Sequence, residues 1–311
     1  MMEQIKFISG GMLTSIQDLG RYGYQKFGMP VSGAMDSHSL QLANYLVGNK
    51  RNEACFEITY LGPEIEFLSN TTIAISGAIM QANVNGRPVQ MNTSIPISKG
   101  DILIMVAVKK GMRAYLSIAG GIIIPEVMGS KSTYLRAKVG GFKGRKIEAG
   151  DLIEIGTPAP FILKEIPTPL LMVYPSVQTI RIIKGTEFDR FELGGWNTFL
   201  NSEYSISNQN DRMGYRLSGP SIKHKNGADI ISSGIVNGSI QVPGHGEPII
   251  MMADHQTVGG YTKIANVISV DLPVMGQMKA GDKIKFKEST LEEAQNLITK
   301  QEENLNRLFT L

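Results

Sequence analysis

Cysteine is nearly missing: Cys55 is the single thiol in 311 residues. That excludes an internal disulfide framework and any zinc site built on several cysteines. Histidine is almost as scarce, with His38, His224, His245 and His255 alone. Only the last two lie close in sequence, and no HExxH pattern or third ligand at metal-binding spacing accompanies them, so no metal is expected. Excess charge of one sign is absent too. The balance of 31 Lys and Arg against 28 Asp and Glu leaves +3, a field too weak to call for nucleic acid or an anionic membrane. No apolar run approaches the ~18 residues of a membrane span. Residues 1–10 carry Glu3 and Lys6 and lack a signal-length apolar core. With the lone thiol, this makes a soluble cytoplasmic protein the expectation.

Apolar residues at 42% and charged residues at 19% are ample for a core. Glycine is in excess, 34 of 311 residues, against a usual ~7%. Without a collagen period, such an excess points to tight turns between short strands. Segments such as "TTIAISG" (71–77), "DILIMVAV" (101–108), "AYLSIAGG" (114–121) and "IRIIKG" (180–185) have strand composition and turn residues at their ends. Little room is left for crossover helices, so a mainly β, largely antiparallel sheet or barrel is expected. A helix is predicted over 36–47 with Asp36 as N-cap and Gly48 as stop. Another is predicted from Thr290 to the C-terminus, opened by Thr290 and Glu293 at capping-box spacing, and a short third helix over 187–193.

The chain also repeats itself. "IKFISG" (5–10) echoes "IRIIKG" (180–185), and "YLGPEI" (60–65) echoes "LSGPSI" (217–222). A Gly-Asp step before an alternating strand recurs in "KGDILIM" (99–105), "EAGDLIEI" (148–155) and "KAGDKIKF" (279–286). The ordered series implies a tandem duplication of one β unit, with the joint among Pro158, Pro160, Pro167 and Pro169. The expected division is residues 1–165 and 166–311.

Familiar catalytic signatures fail. "MGSKST" (128–133) lacks P-loop spacing, there is no Gly-x-Ser-x-Gly elbow, and Cys55 among apolar neighbours reads as a buried structural thiol. "QMKA" (277–280) lacks the second Met of a biotin-carrier motif, which leaves Lys279 as a turn lysine. What remains is a set of dense polar segments at loop positions. Residues 14–40 hold Gln17, Asp18 and Arg21 among glycines, either a plain connector or hydrogen-bonding groups offered to a polar ligand or another protein chain. Residues 129–145 interleave Lys131, Arg136, Lys138, Lys143 and Arg145 with Tyr134 and Phe142, a solvated basic loop or one that binds an anion or another chain. Residues 207–217 and 252–264 bring Asn208, Asp211, Arg212, Asp254, His255, Gln256 and Thr257. These are either solvated turns with a surface ion pair, or a barrel-mouth site for a small amide or carboxylate.

The segments "TSIQDLGRYGYQ", "VSGAMDSHSLQLANYLVGN", "VMGSKSTYLRAKVGGFKGR", "NDRMGYRL", "MADHQTVGGY" and "VISVDLPVMGQMKAGDKIKF" resemble, in order, the biotin-dependent carboxyltransferase family. That family includes the KipA proteins, the former allophanate hydrolase subunit 2 and the C subunit of bacterial 5-oxoprolinase. The resemblance runs from about residue 5 to 286; Asn210, His245, Glu247, Val258 and Thr262 depart from its usual residues. It implies a tandem pair of cyclophilin-like β-barrel subdomains. It also implies partnership with a KipI-like protein and a LamB/YcsF-type protein as the other subunits, the complex using ATP to cleave 5-oxoproline to glutamate. Two alternatives stay open. One is transfer of carboxyl from carboxybiotin, brought on a separate carrier, to urea or a similar amide; the other is a non-catalytic KipA-type antagonist of a KipI-like kinase inhibitor. On the lead reading Asp211, Arg212 and Asp254 are the catalytic candidates. Asn208, His255, Gln256, Thr257, Gln17, Asp18 and Arg21 are the substrate-binding candidates, and Lys131 and Arg136 the cofactor-binding ones.

Overall fold

The computed structural model describes residues 3–175 and 177–310. Its contacts divide the chain into two compact units, one made of Met1–Tyr22, Ser32–Val173 and Leu308–Leu311, the other of Gly23–Val31 and Tyr174–Arg307. Both are mainly β.

The first unit is a ten-stranded sheet whose path runs Leu13–Gln17, Cys55–Thr59, Ile102–Ile118, Glu64–Phe67, Gln4–Ser9, Leu152–Ile155, Ile122–Ile123. Alternation in sequence becomes alternation in space: Ile65 and Phe67 are buried while Glu64 and Glu66 are half-exposed. Two long strands, Thr71–Val84 and Ile102–Ile118, pair antiparallel along most of their length, with register shifts between Gly77 and Ala82. The core collects Ile5, Phe7, Phe56, Ile58, Ile73 and Leu116, and the rings of Phe7 and Phe56 meet edge-on with centroids 5.1 Å apart. Helix α1 spans Ser37–Leu46, and Asp36 caps it by accepting from the Ser39 backbone N–H at 2.9 Å, a cap worth about 1 kcal/mol.

The second unit is a closed barrel in the order Val177–Lys184, Lys263–Val267, Ser239–Gln241, Ile249–Met251, Gly214–Ser218, Glu203–Asn210, Lys283–Glu288. Parallel pairing of Val177–Lys184 with Lys283–Glu288 closes the ring. The predicted helix over 187–193 is instead a 3-10 turn, Phe188–Arg190. The α-helix begins one turn later, as α2, Leu193–Asn201. Gly194 and Gly195 hide it from propensity, and packing makes it: Phe199 lies on Phe286 at 4.4 Å and Trp196 on Phe188 at 4.8 Å. Short α3, Leu272–Gly276, follows with Pro273 in its first turn. The last helix, α4, spans Leu291–Thr310. Its capping box is reciprocal: Glu293 N–H donates to Thr290 Oγ1 and Thr290 N–H to Glu293 Oε2, each at 3.1 Å.

The three Gly-Asp steps have one geometry. Gly100, Gly150 and Gly281 have φ of 92°, 88° and 86°, a left-handed conformation that favours glycine. Asp101, Asp151 and Asp282 each accept, through one carboxylate oxygen, from the backbone N–H three residues earlier, at 2.8, 2.8 and 3.0 Å. Each glycine N–H donates to a strand carbonyl, those of Phe67, Phe7 and Ile206. Two of these turns lie in the first unit and one in the second, so the sequence repeat is a repeat of hydrogen bonding. No helix among the described residues is long and apolar enough to cross a membrane.

Candidate active site

In the first unit, Gln17 and Asp18 leave the strand Leu13–Gln17 and meet a loop more than a hundred residues away. Asp18 Oδ1 accepts from Gly20 N–H and Ser130 Oγ, both at 2.8 Å, and from Ser132 Oγ; its Oδ2 accepts from Lys131 N–H at 2.7 Å. Arg21 is fully buried and donates through Nε to the Val127 carbonyl at 2.9 Å and through an Nη to the Ser132 carbonyl at 2.8 Å. Gln17 Nε2 donates to Ser15 Oγ and the Thr133 carbonyl, at 3.0 and 3.1 Å. Lys131 is committed as well: its Nζ lies 2.6 Å from Glu53 Oε1 and 2.9 Å from the Ile122 carbonyl. Arg136 is exposed on the 3-10 turn Leu135–Ala137. An open groove of about 540 Å³ lies beside this loop, walled by Ile123, Val127, Phe142 and Leu152 with Lys143 and Glu154.

A second buried network here was not foreseen. Glu57 Oε2 accepts from Tyr115 Oη at 2.7 Å and Met35 N–H at 2.9 Å, and Tyr115 Oη accepts from Asp36 N–H at 2.8 Å. Burial, with the charges of Glu57 and Asp36, pushes the Tyr115 hydroxyl well above its ordinary pKa. The signal was a glutamate within "CFEIT", a strand buried at all five positions. Cys55 is buried, and burial pushes its thiol up to about 12, so it is no nucleophile at neutral pH.

In the second unit, the loops that follow the strands Glu203–Asn210 and Ile249–Met251 come together. Arg212 and Asp254 form a bidentate pair, Nε to Oδ2 at 2.9 Å and Nη2 to Oδ1 at 3.1 Å, both side chains buried. The backbone doubles the link, Asp254 N–H donating to the Arg212 carbonyl at 2.7 Å. Asp211 is exposed, and its Oδ1 accepts from the N–H groups of Met213 and Gly214 at 2.8 and 3.2 Å, fixing the turn that presents Arg212. His255 is 2% exposed, and its Nδ1 lies 2.6 Å from the Gln256 carbonyl. Read as donation from Nδ1–H, this leaves Nε2 as an acceptor. Burial lowers the His255 pKa from its ordinary value, against the opposing effects of the Gln256 carbonyl and the Asp254 charge. The imidazole is therefore neutral at pH 7. Asn208 and Gln256 are exposed and Thr257 is half-buried.

Lys263 was not foreseen either. It is 4% exposed, with Nζ 3.1 Å from Glu187 Oε2 and 2.6 Å from Ser233 Oγ. Burial works to raise the Glu187 carboxyl, yet the hydrogen bonds from Lys263 hold it below the ordinary carboxylate value. A lysine opening the otherwise uncharged strand "KIANV" was the available signal. Among the described residues no cluster of His, Cys, Asp and Glu is arranged to hold a metal ion.

Residues 27–288 match the family described as carboxyltransferase domain, subdomain A and B. The chain is 37% identical to the C subunit of 5-oxoprolinase from Escherichia coli K12 over 290 residues, 93% of each chain. It is also 37% identical to that of Haemophilus influenzae Rd over 298 residues, 94% of each. The crystal structure of the Kluyveromyces lactis urea amidolyase superposes with a TM-score of 0.94 at 31% identity over 98% of this chain. There the match spans only 20% of the longer polypeptide.

Proposed function

The chain belongs to the carboxyltransferase domain family, subdomains A and B, and we propose that it is the C subunit of an ATP-dependent 5-oxoprolinase. One observation carries this reading: the similarity to the C subunit of the Escherichia coli enzyme spans 93% of both chains, whereas the amidolyase match uses a fifth of that enzyme. On this reading a LamB/YcsF-like protein and a KipI-like protein complete the enzyme, and the chain alone is inactive.

A lactam is resonance-stabilised, so water attacks it slowly. Transfer of the γ-phosphoryl of ATP to the lactam oxygen makes the ring carbon electrophilic. ADP leaves, a first water adds to that carbon and the carbon–nitrogen bond breaks to give an acyl phosphate, and a second water displaces the phosphate to leave glutamate. The neutral His255 is suited to accept the proton of the attacking water through Nε2, and Arg212 to stabilise the anionic oxygen. Asp254 holds the guanidinium in place as a positioning residue, and Asp211 holds its turn. Asn208, Gln256 and Thr257 supply the polar rim that grips the substrate's carboxylate and amide. Gln17, Asp18 and Arg21 fix the loop over 127–133. Lys131 pairs its ammonium with Glu53, and no step is routed through it.

The Kluyveromyces lactis likeness supports a second reading, carboxyl transfer to urea from carboxybiotin on a separate carrier. Reconstitution separates the two. The complex with the LamB/YcsF-like and KipI-like proteins is expected to consume one ATP per glutamate released from 5-oxoproline, and to leave urea untouched. Urea-dependent loss of carboxybiotin, without 5-oxoproline turnover, would reverse the order of the two readings.

A further inference from the structure

The groove beside residues 140–144 has no part in the chemistry described above. One of its walls is the outer face of the strands Leu152–Ile155 and Ile122–Ile123. Glu154 pairs with Ile123 across them, and Leu152 stands two residues from Glu154 on the same face. Ile123 and Leu152 are half-exposed, and Val127 and Phe142 complete the apolar lining, Phe142 packing on the core behind it. The loop opposite is fixed by close contact. A Cβ on Gly141 would strike Thr133, and one on Gly144 would strike the Lys138 carbonyl. Arg145 forks onto both oxygens of Asp151, each at 2.7 Å, which ties the end of the loop to the strand and neutralises both groups. Lys143 and Glu154 remain as the groove's two charges. Neither has an ion pair or side-chain hydrogen bond among the described residues, and they do not pair with each other. The Lys143 ammonium rests 4.9 Å from the centroid of the Phe142 ring. Burial works to raise the Asp151 carboxyl, yet hydrogen bonds from Arg145 and the Glu148 N–H, with the charges of Arg145 and Lys143, hold it below the ordinary carboxylate value. Lys143 therefore stands near Asp151, and Glu154 lies three residues further on, about 10 Å along an extended chain. The backbone N–H groups of Phe142 and Lys143 donate to no protein acceptor among the described residues.

An apolar groove with one unpaired charge of each sign suits a molecule that is apolar along its length and charged at both ends. A free amino acid carries its two charges on one carbon, too close together to reach both. Three extended residues span about 10 Å. We propose that this groove binds a short apolar peptide with free ends, about three residues long. Its carboxylate meets Lys143 and the N–H groups of Phe142 and Lys143, its ammonium meets Glu154, and its side chains lie on Ile123, Leu152 and Phe142. The groove of about 540 Å³ has room for a ligand of this class. The site lies wholly in the first unit and is independent of the proposed function.

The test is calorimetric titration of the purified full chain with the peptide Leu-Gly-Leu, with its N-acetylated form and with its C-terminal amide. The free peptide is expected to bind on the order of tenfold more tightly than either capped form. Lys143→Gln should cost the free peptide about tenfold and leave the amide unaffected, because the amide has no carboxylate to lose. Glu154→Gln should cost the free peptide about tenfold and leave the acetylated form unaffected. Thermal unfolding of both variants should match the wild type, since neither charge has a partner in the free chain. The capped peptides probe the same contacts with the wild-type chain, so the outcome does not depend on how the variants fold. No detectable binding of the free peptide would overturn the proposal. Equal binding of the free and capped forms, or binding of the free peptide that neither variant weakens, would overturn it as well.

Discussion

Asp254→Ala is expected to lower turnover of 5-oxoproline by the reconstituted complex by about two to three orders of magnitude. It is also expected to cost the free chain about 3–5 kcal/mol, because it leaves the Arg212 guanidinium buried without its carboxylate. Stability alone could account for lost activity, so the decisive variant replaces both partners. Arg212→Met with Asp254→Leu removes the pair and fills its space with apolar atoms, a change that is often neutral or stabilising for a buried ion pair. If the pair serves the chemistry, the double variant unfolds at wild-type denaturant concentration and remains inactive. Recovery of turnover in the double variant would show that the pair only holds two loops together. Arg212→Lys adds a finer reading: it keeps the charge and loses the two-point fork, so most of the activity loss should persist.

Asp18→Ala carries the second largest expected effect, and it concerns folding. Four donors converge on this one carboxylate: two backbone N–H groups, from Gly20 and Lys131, and the hydroxyls of Ser130 and Ser132. Ala supplies no acceptor, so the donors are left buried and unpaired, at about 3–5 kcal/mol in total. Equilibrium unfolding in urea, followed by circular dichroism, should show the midpoint falling with little change in slope. A loss below about 1 kcal/mol would mean that solvent or a rearranged loop satisfies the donors, and the loop-fixing role would be wrong.

These two networks mark the limit of what the sequence made legible. Features closed within a few residues could be read directly. The Asp36 cap, the Thr290–Glu293 box and the three Gly-Asp turns use partners three residues apart, and each forms as its spacing predicts. Arg212 and Asp254 were identified as polar loop residues, but they lie 42 positions apart. Their pairing is set by which barrel strands are neighbours, and polarity could not supply that. Asp18 and Ser132, 114 positions apart, present the same problem in the sheet of the first unit. Glu57 and Lys263 were missed for a different reason: each sits singly in a strand whose pattern says core, and only the fold reveals a partner for the charge. Helix α2 was misplaced because its two glycines argue against a helix that Trp196 and Phe199 stabilise by packing.

The central claim is that this chain is a required part of a 5-oxoproline-cleaving enzyme. Its most direct test is omission. The LamB/YcsF-like and KipI-like proteins are incubated with 5-oxoproline and ATP, with and without this chain, and glutamate is measured by chromatography. The account predicts sustained, ATP-dependent glutamate release in the full mixture, and none when any one of the three proteins is left out. Equal glutamate release from the other two proteins without this chain would contradict it.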